Sequence, residues 1–300
     1  MTAIWACPLC KSALTLVDNS LTCTNHHMFD RAKQGYVNLL PANKKRSLEP
    51  GDNAEMIDAR RKFLNTGHYD FLMSAICQRV LNKMARVTAA HSAASDQQHK
   101  DRSFVCLDLG CGEGAYLEYI TGQSAAGRCD CYGLDISKFA VKRAASLFKQ
   151  KAQDKNHKQE HQPVRFAVAS SYHIPVLDSS VDIAISVFAP LAAAEVARIL
   201  KPGGILLRIT PGPRHLLQLK QAIYSKAITH EPPKALEKAE VLVSDQIHRQ
   251  VELEQQVLAD LIAMTPLSWH GSRVGKEDLL ANTSFTVDFN FIIQEIRFDG

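Results

Sequence analysis

From residue 104 to 209, short apolar β-rich runs alternate with helix-length segments, and the first run ends in three glycines at alternate positions. Phe104–Leu109 predicts a buried strand, and 115–122 starts a helix. A second strand at 130–134 leads into an amphipathic helix from Ser137 to about Lys151. Further strand-like runs occupy 164–169, 181–187 and 205–209, with a helix at 192–200 before the last. Strands spaced by helices predict an α/β fold, a parallel sheet with helices on both faces. Upstream, 54–64 and 70–86 have helical periodicity, and 285–298 alternates enough to add a final antiparallel strand at an edge. Polar stretches at 88–103 and 149–162 predict a flexible loop and the frayed end of a helix. The segment 230–240, with Pro232-Pro233 and alternating Lys and Glu, predicts a solvated linker or helix start.

Composition excludes several alternatives. At 46% hydrophobic and 22% charged residues, the 300-residue chain can bury a large core. The longest apolar stretch, 181–200, carries Asp182, Pro190, Glu195 and Arg198, which rules it out as a membrane span. The start lacks a basic n-region, so the expectation is a soluble, cytoplasmic protein without a signal peptide and with no membrane partner. Net charge is only +4, but residues 31–62 hold eight Lys/Arg against four acids, and 201–226 hold five against none. Either stretch suits a polyanion or ordinary solvated surface.

The strand at 104–109 runs into Leu107-Asp108-Leu109-Gly110-Cys111-Gly112-Glu113-Gly114. Such a turn lets backbone approach a ligand closely and delivers it to a helix N-terminus. Taken alone it also fits a structural turn or a dinucleotide site. After the second strand, Asp135 stands 25 positions beyond Gly110, where a carboxylate can accept both ribose hydroxyls. Its competing role, a helix N-cap, suits Ser137 better. The Asp-x-Gly-x-Gly-x-Gly turn, Asp135 and Leu200-Lys201-Pro202-Gly203-Gly204 together resemble the Rossmann-like class I S-adenosylmethionine-dependent methyltransferases over about 104–210. That resemblance implies that Asp108 orients the methionine amino end and that Gly110 and Gly112 line the cofactor. The acid many members carry after the third strand is replaced here by Ala169-Ser170-Ser171.

Cys7-x2-Cys10-x12-Cys23 followed by His26-His27 has the spacing of one tetrahedral zinc. Four protein ligands make that site structural, and spacing alone does not choose between the two histidines. A module of forty residues builds little core, so metal binding, worth on the order of 10–16 kcal/mol in finger peptides, is expected to drive its folding. The other five cysteines read as small core residues. The domain boundaries expected are 1–40 for the zinc-binding module, 41–103 for a helical connector and polar loop, and 104–300 for the methyltransferase domain.

The zinc cluster continues into Phe29-Asp30-x-Ala32-Lys33-x-Gly35-Tyr36-Val37-Asn38-Leu39-Leu40-Pro41. Then come Pro50-Gly51-Asp52-x-Ala54-Glu55-Met56, Ala59-Arg60-Arg61-x-Phe63-Leu64 and Gly67-His68-Tyr69. After the strand at 205–209 the chain reads Pro211-Gly212-Pro213-Arg214-His215. The whole set resembles the large-subunit (23S) ribosomal RNA guanine-N1 methyltransferases. This resemblance implies His27 as the fourth zinc ligand, and Tyr69 and His215 at the cofactor pocket beside Gly112 and Glu113. It also implies a homodimer whose zinc modules help grip an RNA hairpin.

N1 of guanine carries a proton, so methylation there calls for a base or a donor to O6. His215, the catalytic candidate, and Tyr69 are the residues the sequence offers, with packing or cofactor contact as the competing role of each. Phe188 in Phe188-Ala189-Pro190 stands where class I enzymes hold their target, either stacking on a flipped base or packing in the core. Two other classes share these features in part. A small-molecule methyltransferase leaves the zinc module without a reason, and a non-catalytic RNA-binding shell has no need of the intact Asp108, Gly110, Gly112, Gly114 and Asp135.

Overall fold

The computed structural model describes residues 4–44, 51–93, 103–123, 129–153, 164–224, 229–269 and 272–299. In chain order the strands are β1 (Leu14–Val17), β2 (Ser20–Cys23), β3 (Met28–Asp30) and β4 (Val37–Asn38). Helices α1 (Ala54–Leu64) and α2 (Asp70–Ala93) precede β5 (Phe104–Leu109), α3 (Ala115–Thr121), β6 (Cys129–Asp135), α4 (Lys138–Gln153) and β7 (Arg165–Val168). Next are β8 (Val181–Val187), α5 (Ala193–Ile199), β9 (Leu200–Pro211) and α6 (Leu217–Ile223). The chain closes with β10 (Ala239–Glu254), α7 (Gln255–Ala263), α8 (Arg273–Leu280) and β11 (Ser284–Phe298).

Eight strands form the main sheet in the order β10-β11-β9-β8-β5-β6-β7-β4. From β9 to β4 every pairing is parallel, and β11 and β10 are antiparallel additions. All six residues of β5 and all seven of β8 are buried, as expected of central parallel strands covered on both faces. The chain leaves β5 for β6 on one side and later returns to β8 on the other. That reversal opens a crevice at the carboxyl ends of β5 and β8, the usual ligand position in open α/β sheets.

Two expectations need correction, and a third narrows. The strand at 285–298 is antiparallel, but it lies between β9 and β10 rather than at the edge. Segment 230–240 is the solvated linker of the two alternatives and not a helix start; its end opens β10, whose side chains are almost all exposed or half-buried and so show no period for a sequence pattern to reveal. The stretch 88–103 is helical as far as Ala93, because the exposed end of α2 needs helix-forming residues but no apolar stripe. Residues 94–102 and 154–163, the rest of the two polar stretches, lie outside the described residues.

Strands β1, β2 and β3 make a small antiparallel sheet that carries the cysteines. This module is not a tethered bead. Trp5 meets Tyr132 of β6 edge to face at 5.4 Å. Ala6 N–H donates to Pro175 O and Leu177 N–H to Ile4 O. Ile4, Trp5, Leu14 and Leu21 share one apolar cluster with Val105, Leu107 and Tyr132 of the large sheet. Strand β4 then pairs with β7, which carries the chain from the small sheet into the large one.

Candidate active site and zinc centre

Gly110 (φ 76°) and Gly112 (φ 54°) hold left-handed conformations at the end of β5. A Cβ at Gly110 would collide with that of Ala189 after β8, so this position requires glycine on two counts. Gly110 and Cys111 N–H both donate to Leu134 O, at 2.8 and 2.9 Å, which ties the turn to the end of β6. Asp135 closes the same corner: Gly112 N–H donates to Oδ2 at 2.9 Å and Ser137 N–H to Oδ1 at 2.7 Å. Ser137 Oγ accepts from Ala140 N–H at 3.3 Å and so caps α4 itself. Burial raises the Asp135 carboxyl above the usual range, against these two bonds. A carboxylate offers about four lone-pair sites, so two remain for ligand hydroxyls.

Asp108 is buried at 1% exposure, and among the described residues neither of its oxygens has a hydrogen-bond partner. Burial, and then the charge of Asp135, push its carboxyl up to about 8. An unpaired buried acid costs roughly 1–3 kcal/mol and asks for a cationic or donor partner. The left-handed glycine cradle and the open lone pairs of Asp135 line the crevice and fit the ribose end of S-adenosylmethionine, while the orphaned Asp108, two residues before Gly110, sits buried behind that lining and is not part of it.

A cavity of about 630 Å³ runs from this cradle to the far side of the crevice. Near the glycines it is lined by Asp52, Met56 and Arg60, and also by Tyr69, Glu113 and Asp135. Asp52 pairs with Arg60, whose Nη2 also donates to Met264 O at 3.4 Å. Glu113 lines the wall while its carboxylate faces Arg61, with Nε 2.9 Å from Oε1. Arg61 Nη1 also reaches Glu118 Oε2 at 2.6 Å, which pins α1 against α3. Tyr69 is caged edge to face by Phe63, Phe289 and Phe291 at 5.0–5.2 Å, and burial raises its hydroxyl far above the usual range. That setting packs Tyr69 into the wall of the cavity. After β7, Ser170, Ser171 and Tyr172 line the position where an acid is missing.

At the other end stand Phe188, His215, Lys220 and His230. Phe188 has φ 55° and is 43% exposed, a strained and uncovered aromatic facing the cavity. Its ring stacks on His215 with 5.9 Å between centroids and 25° between planes. Asn290 N–H donates to His215 Nδ1 at 3.4 Å, which leaves the ring proton on Nε2. Burial, then the neighbouring His230 and Lys220, push His215 down to about 3. It is therefore a neutral donor at working pH and a poor proton acceptor. Lys220 and His230 were not singled out from sequence, because they meet only in the fold.

Cys7, Cys10, Cys23 and His27 come together with all four ligand atoms within 4.8 Å of one another. Cys10 Sγ and Cys23 Sγ are 3.7 Å apart, and His27 Nδ1 lies 3.5 and 3.4 Å from Cys7 and Cys23. A tetrahedron with Zn–S near 2.3 Å and Zn–N near 2.0–2.1 Å has edges of about 3.5–3.8 Å, and these three separations match it. His26 takes φ 59° in the turn, which lets His27 point at the thiols. Hydrogen bonds from Ser12 lower the Cys10 thiol to about 5.

The two basic stretches are less available than their counts suggest. Lys201 pairs with Asp182, Arg214 with Asp288 and Arg61 with Glu113 and Glu118. Lys45, Arg46 and Lys226 lie outside the described residues.

Residues 5–48 match the zinc-ribbon family described as RlmA, N-terminal, and residues 107–208 match the methyltransferase-domain family. A Bacillus subtilis protein named as a 23S rRNA (guanine-N(1)-)-methyltransferase, YxjB, is 31% identical over 97% of this chain and 96% of its own. The 23S rRNA (guanine(748)-N(1))-methyltransferase of Streptomyces fradiae is 32% identical over 88% of this chain and 85% of its own. A Micromonospora griseorubida protein with a 23S rRNA (guanine-N(1)-)-methyltransferase name is 31% identical over 88% and 86%. With an amino-terminal zinc ribbon on a class I S-adenosylmethionine-dependent core, at that identity and over nearly its whole length, the chain belongs to the 23S rRNA (guanine-N1)-methyltransferase family.

Proposed function

We propose that the protein transfers the methyl group of S-adenosylmethionine to N1 of one guanine in a hairpin of 23S ribosomal RNA. The observation that carries this reading is a single cavity joining the cofactor cradle at Gly110, Gly112 and Asp135 to an aromatic and basic end at Phe188, His215, Lys220 and His230. S-adenosylmethionine supplies a methyl group on a sulfonium, already activated for transfer, so the protein mainly has to align the acceptor. Asp135 holds the donor's ribose end, and Asp108 its ammonium end from behind the cavity lining. Phe188 stacks on the extruded base, and Nε2–H of His215 donates to O6, where negative charge grows as N1 loses its proton. Tyr69 and Glu113 act on the cofactor pocket through its wall.

Residues 1–40 recognise the RNA with the zinc ribbon, 41–103 connect, and 104–300 carry the reaction. Since the ribbon shares a core with the large sheet, RNA gripped by one is held in register with the cavity of the other. The working unit is a homodimer in the cytoplasm. Among the described residues no helix is long and apolar enough to cross a membrane.

Incubation of unmodified 23S ribosomal RNA with labelled S-adenosylmethionine, followed by nucleoside analysis, tests the reading. N1-methylguanosine is the expected product. Label on an exocyclic amine, or none from protein that holds both zinc and cofactor, would overturn it.

A further inference from the structure

Of the family-motif groups that line the cavity, Asp52 and Glu113 are paired with Arg60 and Arg61, Asp135 is bonded to Gly112 and Ser137, and His215 is held neutral with its free nitrogen protonated. Lys220 and His230 stand at the same end of the cavity. Lys220 Nζ lies 2.6 Å from His230 Nε2. Among the described residues neither pairs with a carboxylate. Resting on the functional reading above, we propose that Lys220 accepts the guanine N1 proton and that His230 is its positioning residue.

A chain of contacts links this pair to the methyl donor's cradle. Gly110 abuts Ala189, and Phe188 beside it stacks on His215. The His215 ring in turn lies 6.1 Å from that of His230. His230 N–H donates to Pro213 O at 3.3 Å, which ties it to the Pro-Gly-Pro-Arg-His loop. Lys220 is on α6, whose first residues follow the same loop.

The groups facing the pair leave it without a counter-charge. His215 is neutral, and Arg214 is taken up by Asp288. On the remaining wall Asp52 is paired with Arg60, and Asp135 is bonded to Gly112 and Ser137. Tyr172 lines the side after β7, and Glu231, next to His230, is exposed. The lining at 264–267 brings only Met264, Thr265, Pro266 and Leu267. Burial lowers Lys220, and burial together with the charge of Lys220 lowers His230. A half-buried lysine without an acid is the side chain most readily made neutral.

Neutral Lys220 donates one N–H to His230 Nε2 and keeps its lone pair for the substrate. The N1–H bond breaks and its proton passes to Nζ. The electron pair left on N1 forms the new bond to the methyl carbon, and the pair of the broken carbon–sulfur bond stays on sulfur as a neutral thioether. One sulfonium cation is consumed and one ammonium is formed, so charge balances. The ammonium then returns its proton to water.

The test compares single-turnover methylation of 23S ribosomal RNA by zinc-loaded wild type, K220M, K220R and H230Q from neutral to alkaline pH. Cofactor and RNA affinities are measured separately on each protein. K220M should lose on the order of 10²–10⁴-fold in rate with both affinities within twofold of wild type. Its deficit should shrink as pH approaches the ionisation of guanine N1 itself, and K220R should not restore the rate. H230Q should lose less and shift the acid limb of the pH profile. In the free enzyme, NMR titration of lysines labelled at Cε should place Lys220 below the other lysines, and H230Q should move that midpoint. Rescue by arginine would make Lys220 a cationic contact and overturn the proposal, as would a K220M deficit equal at every pH. An ordinary Lys220 midpoint in the wild type would overturn it without reference to any variant. If K220M methylates N1 at the wild-type rate, this proposal falls and the functional reading stands; if the wild type methylates no guanine, both fall.

Discussion

Asp108, a buried acid without a hydrogen-bond partner among the described residues, burdens the fold that holds it. Its carboxyl titrates near 8 in the folded chain, against an ordinary value of 3.8. Between those values the folded state binds the extra proton, so this residue's contribution to stability falls as pH rises from about 4 to about 8, then levels off. D108N removes that slope. Its melting temperature should decline less than that of wild type between pH 5 and pH 8, while its cofactor affinity drops roughly 10–100-fold with the loss of a charge-assisted bond. In the wild type the cationic ligand should expel the proton below pH 8. Calorimetry in buffers of different ionisation enthalpy would show the release, and its absence would mean that the ammonium end does not lie against Asp108. The acids and glycines of the cradle were legible in the sequence because they sit at fixed distances from strand ends. Lys220 and His230 were not, since neither occupies a spaced motif and only the Pro213 loop brings them together.

At the scale of elements, the zinc ribbon and the cofactor crevice are joined by packing yet separate in lining. Trp5 rests on Tyr132 of β6, but none of the cavity's lining residues comes from β1, β2 or β3. Cys23→Ser, or metal removal by chelation, should therefore lower the melting temperature and weaken hairpin binding at least tenfold, with cofactor affinity changed less than twofold. Parallel loss of cofactor binding would mean that the ribbon holds the crevice itself. The central strands were readable because burial on both faces leaves unbroken apolar runs. Strand β10 was not: its length and register come from β11, which it pairs from Ala239↔Phe298 to Glu254↔Ser284, and its exposed side chains keep no alternation. For the same reason β11 looked like an edge, its covering neighbour being invisible.

For the whole molecule, the proposed function requires an RNA held by positive charge and a ribbon while one base enters the cavity that α1 and the 264–267 segment line. If about six phosphates are neutralised, log affinity for a single-stranded-like target should fall against log salt with a slope near −4. Replacing Lys44, Lys45 and Arg46 together should flatten it, and an unchanged slope would take that patch out of the interface. The most direct measurement is primer extension on 23S ribosomal RNA after reaction with the zinc-loaded protein and S-adenosylmethionine. A methyl group on N1 blocks the Watson–Crick edge, so one new stop opposite a single hairpin guanine is expected for the wild type. A G110A protein, whose new Cβ meets Ala189, should give none. Full extension with the wild type, or a stop that G110A retains, would contradict the assignment of guanine-N1 methylation to this cavity.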